Sequence, residues 1–67
     1  MKILTMADFI ELNTFLKLKL NLPTGGQAKL LIRSGKVFVN GQLETRNRKK
    51  LVKGEIVSVE SKRWEVG

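Results

Sequence analysis

The side chains with chemistry to offer in this sequence are cations. Lys29, Arg33, Lys36, Arg46, Arg48, Lys49, Lys50 and Lys53 fall between residues 25 and 53, with Glu44 as the one acid among them. The net charge of that stretch, +7, equals that of the whole 67-residue chain, which has 13 Lys or Arg and 6 Asp or Glu. The flanking segments nearly cancel, at +1 for residues 1–24 and −1 for residues 54–67. Charge concentrated in this way is the electrostatic footprint of a surface that meets a polyanion. The plainer alternative is a solvated face whose charge serves solubility. Arg offers a planar fork matched to two phosphate oxygens and Lys a mobile point charge; the run Arg46-Asn47-Arg48-Lys49-Lys50 contains both.

Other chemistry is sparse. Without Cys or His there is no thiolate or imidazole zinc site, no disulfide, no Ser-His-Asp or Cys-His nucleophile and no imidazole acid or base. The carboxylates Asp8, Glu11, Glu44, Glu55, Glu60 and Glu65 are scattered, with no grouping that suggests a divalent-ion site or a glycosidase pair. We therefore expect no enzyme, no catalytic or metal-binding residues, no cofactor and no small-molecule substrate. No apolar run approaches the 18 or so residues of a membrane span, and the opening Met1-Lys2-Ile3-Leu4-Thr5 is too short for a signal segment. The expectation is one small domain, residues 1–67, in the cytoplasm.

The elements that must position the cations can be read from the pattern. Residues 1–10 show no dominant period, so a strand and an early helical turn both remain open there. From Glu11 onward, Leu12, Phe15, Leu16 and Leu20 follow the spacing of one helical face, and that helix must end before Pro23. Thr24-Gly25-Gly26-Gln27 has the form of a capping box and opens a second helix over about residues 25–34, with Ala28, Leu31 and Ile32 on one side and Gly35 as its stop. Lys29 and Arg33, four apart, share a flank of that helix, and Gly26 lies near the same azimuth.

Lys36-Val37-Phe38-Val39 then alternates as a strand, and Asn40-Gly41 is the strongest short hairpin signal, predicting a type I′ turn and an antiparallel return through Gln42-Leu43-Glu44-Thr45. Repulsion within residues 46–50 predicts an exposed loop. After a turn at Lys53-Gly54, residues 55–60 read as a strand, Ser61-Lys62-Arg63 as a turn and Trp64-Glu65-Val66 as a last strand. The sum is an α+β fold, two packed helices followed by a small antiparallel sheet.

Two cation groups distant in sequence form one surface if the hairpin lays the loop beside the second helix. Lys29, Arg33 and Lys36 would then face Arg46, Arg48, Lys49 and Lys50 across a phosphate backbone. Gly25 and Gly26 have two readings: the first amides of a helix attract anions, and residues without Cβ admit a phosphate closely, or else the glycines let the two helices pack. Thr24 and Gln27 read as caps. Among the aromatics, Phe15 and Trp64 are expected in the core, and Phe38 falls on the strand face opposite Val37 and Val39. No aromatic-rich platform is present, so recognition of RNA shape and backbone is expected more than of base sequence.

Taken together, Phe15-Leu16-Lys17, Thr24-Gly25-Gly26-Gln27-Ala28-Lys29 with Ile32 and Gly35, Val37-Phe38-Val39-Asn40-Gly41 and Lys53-Gly54-Glu55-Ile56-Val57 resemble the S-four RNA-binding domain, or alpha-L motif, over residues 11–60. The Gly-Gly-Gln-Ala-Lys start and the run from Glu44 to Leu51 are similar to the short stand-alone bacterial subgroup typified by YbcJ and YaaA. The resemblance implies binding of structured RNA, ribosomal or transfer RNA, by the edge of the second helix and the basic loop, in ribosome assembly or translation. The candidate RNA contacts read from the residues themselves are Gly25, Gly26, Lys29, Arg33, Lys36, Arg46, Arg48, Lys49 and Lys50, with Lys29, Arg33, Arg46, Arg48, Lys49 and Lys50 as the main phosphate contacts. Two positions depart from the pattern: the family's common Ser-Arg is Thr24-Gly25 here, so a contact at Gly25 must come from backbone, and the subgroup's Arg-Gly is Asn47-Arg48. The competing readings are a general nucleic-acid binder that also takes DNA and an adaptor docking on an acidic protein. A membrane surface fits poorly, for want of an amphipathic helix with a cationic face and exposed aromatics.

Overall fold

The computed structural model describes residues 9–67. Of residues 1–10, left open between strand and helical turn, residues 1–8 lie outside the described residues, and Ile10 begins a strand. From Ile10 the order is β1 (Ile10–Glu11), α1 (Leu12–Lys19), α2 (Gly25–Arg33), β2 (Val37–Val39), β3 (Gln42–Leu43), β4 (Lys50–Leu51), β5 (Ile56–Val59) and β6 (Lys62–Glu65). The expected α+β fold is present, with two packed helices ahead of antiparallel strands. The strands form two sheets, a β1–β4 pair and a four-stranded sheet in the order β3-β2-β5-β6.

Helix α1 forms because Leu12, Phe15 and Leu16 share one face and are all fully buried. It stops at a Schellman-type cap: Asn21 takes a left-handed φ of 54°, and the Leu22 amide donates back to the Lys17 carbonyl at 2.9 Å. Asn21 thus performs the work usual for glycine, and Pro23 lies beyond the end. Helix α2 begins as the sequence predicts, with the Thr24 hydroxyl accepting from the Gln27 amide at 3.4 Å, and ends into Gly35 at φ 84°. Ala28 and Ile32 are its buried contacts.

The Asn40-Gly41 turn carries positive φ at both positions, 53° and 82°, so the type I′ hairpin is formed. Asn40 does more than turn the chain. Its Oδ1 accepts from the Ile56 amide at 2.9 Å and its Nδ2 donates to Glu55 Oε2 at 3.2 Å, while Glu55 Oε1 accepts from the Val52 amide at 2.8 Å. The Asn-Gly and Gly-Glu turns, far apart in sequence, are thereby fastened to each other.

Three local expectations are corrected. Lys50 is not loop but the first residue of β4, because its neighbour Leu51 is buried and pairs with Ile10. The last turn is at Glu60-Ser61, with Glu60 at φ 54°, so Lys62 and Arg63 belong to β6. Gln27 is not seen to complete the capping box from its side chain; the cap is the Thr24 half.

One core draws on both helices and on every strand but β3, whose two residues are exposed: Ile10, Leu12, Phe15, Leu16, Ala28, Ile32, Val37, Val39, Leu51, Val57, Val59 and Val66, with Trp64 of β6 packed against it. Trp64 is half-buried and meets Phe15 edge to face at 6.2 Å and 77°, so both aromatics serve the core as expected. No helix of the described residues is long and apolar enough to cross a membrane.

Replacing Asn40 by Ala removes an acceptor, a donor and a residue tolerant of left-handed backbone. We expect N40A to lower unfolding free energy by about 1–2 kcal/mol in urea titration, with its denaturant slope unchanged.

Candidate nucleic-acid interface

The first amides of an α-helix have no partner inside the helix. In α1 the capping position is Glu11, whose side chain makes no cap. The chain segment 46–50 supplies the partners instead: Leu12 N–H donates to the Lys49 carbonyl at 2.8 Å and Asn13 N–H to the Asn47 carbonyl at 3.1 Å. With the β1–β4 pairs Ile10–Leu51 and Glu11–Lys50, this ties the basic segment to the start of α1. The Asn47 and Lys49 carbonyls thus turn toward α1, while Arg46, Arg48 and Lys50 are exposed.

Arg46, Arg48, Lys49 and Lys50 consequently line one shallow concavity of about 460 Å³. Each arginine is steadied by a carboxylate. Arg46 Nε and Nη2 donate to Glu44 Oε2 and Oε1 at 2.9 and 3.2 Å, and the Arg46 amide also donates to Oε2 at 3.0 Å. Arg48 Nε and Nη2 both lie 3.0 Å from Glu11 Oε2. The arginine side chains stay 70% and 77% exposed, whereas those of Glu44 and Glu11 are 12% and 26% exposed. A guanidinium has five N–H donors, so each pair leaves an outward edge available to a further anion. Lys50 Nζ sits 5.0 Å from the Phe9 ring centroid, within cation–π range. The Asn47 side-chain oxygen is buried without a hydrogen-bond partner among the described residues.

Lys29 and Arg33 are exposed on α2 and Lys36 is exposed just after it. None of these three lines the 460 Å³ concavity. The contact that fixes the basic segment runs to α1, not to α2; α1 in turn packs on α2 and is the support common to both cation groups. Gly25 and Gly26 are exposed at the start of α2. A Cβ built at Gly25 meets nothing within 4 Å, and one at Gly26 meets only Thr24 Oγ1 at 3.7 Å. Helix packing therefore does not demand glycine at either position.

Sequence reasoning missed Glu11 and Glu44 as partners of the arginines. The spacing of Glu44 and Arg46 made that pair readable; Glu11 and Arg48, 37 positions apart, left no local signal.

With this geometry in view, the comparisons with known proteins fall into place. A family model described as S4 domain matches residues 2–67. The chain belongs to the S4 domain family. It is similar to the "Putative RNA-binding protein YbcJ" of Escherichia coli strain K12, with 47% identity over 49 residues, covering 73% of this chain and 70% of that protein. The same identity and coverage hold for the "Uncharacterized protein YbcJ" of Shigella flexneri.

The Arg46 guanidinium, through its hydrogen bonds, holds the Glu44 carboxyl below its ordinary value of 4.5, with Lys49 adding a smaller pull in the same direction. A carboxylate whose pKa is lower folded than unfolded stabilises fully above the unfolded value, and that contribution fades as pH falls through the folded one. Urea midpoints measured from neutral pH down to about pH 3 should show E44Q below the wild type at neutral pH. The gap should close on acidification below about 4.5.

Proposed function

We propose that this S4 domain binds structured RNA, ribosomal or transfer RNA, without catalysis, and acts in ribosome assembly or translation in the cytoplasm. The observation that carries the reading is the convergence of Arg46, Arg48, Lys49 and Lys50 on one concavity, with backbone carbonyls turned away and guanidinium edges left open. Phosphates of a folded RNA would be held there by charge-assisted bonds. Lys29, Arg33 and Lys36, free of ion pairs among the described residues, extend the positive field along α2. Membership in the S4 domain family and the name of the Escherichia coli relative support the same ligand class. We further propose that residues 1–67 act as one RNA-binding unit.

The two cation groups are separable in the test, since the α2 cations do not line that concavity. If about 4–6 phosphates are neutralised, log affinity falls with log salt at a slope near −3 to −5. A folded hairpin should outcompete DNA duplex and single strands of equal length at fixed salt. Replacing Arg46, Arg48, Lys49 and Lys50 together by Ala should abolish binding, and K29A/R33A should flatten the slope by about 1–2. Equal affinity for all competitors would favour general nucleic-acid binding. A protein complex that survived the fourfold replacement would favour an adaptor.

Gly25 and Gly26 sharpen the test, because stability and RNA binding should move in opposite directions when they are replaced. A methyl group at either meets open space and improves helix propensity, so G25A and G26A should raise unfolding free energy by a few tenths to about 1 kcal/mol. If phosphate approaches the first amides of α2, the same variants should weaken RNA binding severalfold while becoming more stable.

A further inference from the structure

The outward side of the four-stranded sheet carries a row of residues that the basic face does not use. The register places Leu43, Phe38, Ser58 and Arg63 side by side across β3, β2, β5 and β6. Val37, Val39, Val57 and Val59 point the other way, into the core, so the row faces out. Leu43 is 55% exposed and Phe38 37%. An exposed aromatic beside an exposed leucine calls for an explanation in so small a chain, whose other interior-capable aromatics, Phe15 and Trp64, are spent on each other.

The neighbours indicate what would cover the row. Ser58 is small and half-buried, and the register sets it between an aromatic residue, Phe38, on one side and a cationic one, Arg63, on the other. The Ser58 hydroxyl and the Arg63 guanidinium have no partner among the described residues. Arg63 stands two strands from Phe38, about 10 Å, within reach of its long side chain. Lys36, two residues before Phe38 on the same strand side, adds a second unpaired cation; Glu65 lies at the opposite end, across from Ile56. The row also runs on into the basic segment: Leu43 shares a depression of about 150 Å³ with Glu44, Arg46 and Lys49.

We propose that this row is a stacking seat for an unpaired base adjoining the structured RNA, with Phe38 under the base, Leu43 at its edge, the Ser58 hydroxyl on its polar rim and Arg63 at the flanking phosphate. A planar ring, a small polar neighbour and a cation within a strand or two suit one nucleotide, since every base has a π-face and stacking on an aromatic tolerates sequence. This rests on the RNA-binding reading above and adds a second point of contact to it. The basic face grips the folded part, and the sheet takes a single-stranded extension leaving it past Leu43.

The test compares a blunt RNA hairpin with the same hairpin bearing a short single-stranded tail that contains 2-aminopurine. Wild type should prefer the tailed RNA and quench the probe. F38A should lose about 5- to 100-fold on the tailed RNA, and nothing on the blunt one, because a stacked base contributes about 1–3 kcal/mol. F38Y, which keeps the ring, should retain the preference, and R63A should lose a smaller part of it. Circular dichroism confirms that the variants fold. Binding of both RNAs with equal affinity, or an F38A loss that is the same for both, would overturn the stacking seat and leave the basic face standing. Failure of wild type to bind either RNA would remove the RNA reading itself. A concentration-dependent dimer that F38A dissolves would instead assign the row to a second copy of this chain.

Discussion

Unpaired backbone amides at the start of a helix must be met by something, and in α1 they are met by the carbonyls of Lys49 and Asn47. Much of the molecule depends on that exchange. It gives a short helix its cap, where Glu11 offers none from its side chain. It also anchors a segment that like-charge repulsion would otherwise drive into solvent. With that segment held against α1, Arg46, Arg48, Lys49 and Lys50 line a single concavity. Stability and the cationic surface are therefore linked by the same hydrogen bonds.

The second constraint is electrostatic. A dense group of cations repels itself, and here two carboxylates relieve the repulsion without hiding the charge. Glu44 and Glu11 are mostly covered, while the guanidiniums that they hold are mostly exposed. Such pairing at a surface adds little to stability on its own. What it changes is the conformational freedom of Arg46 and Arg48: held in place by a carboxylate, each would lose less side-chain entropy on contact with the phosphate proposed above.

Local structure was largely legible. The Thr24 cap, the apolar spacing of Leu12, Phe15 and Leu16, and the Asn40-Gly41 turn each depend on residues within a few positions of one another, and each formed as the pattern implies. The errors have two causes, one distant and one local. Lys50 reads as loop by charge but is strand because Leu51 beside it pairs with Ile10, a partner 41 positions away. Lys62 and Arg63 read as turn, yet the left-handed backbone falls on Glu60 and leaves them in β6. The pairing of Leu51 with Ile10 has no short-range signature, whereas Lys62 pairs with Val59 three positions away and only the place of the turn was misread.

By itself, then, the sequence determined the kind of protein: a small α+β chain, poor in catalytic groups, with its charge concentrated between residues 25 and 53. Composition and near-neighbour chemistry suffice for that, since propensity, capping and turn geometry act over one to four residues. Only the tertiary structure decided that the basic segment seats on α1, that Glu11 reaches Arg48, and that Phe38 comes to lie beside Leu43 and Ser58 on an open sheet face. Those arrangements follow from closing long loops and burying one shared core, and the free energy of closure belongs to the whole chain and not to any stretch of it.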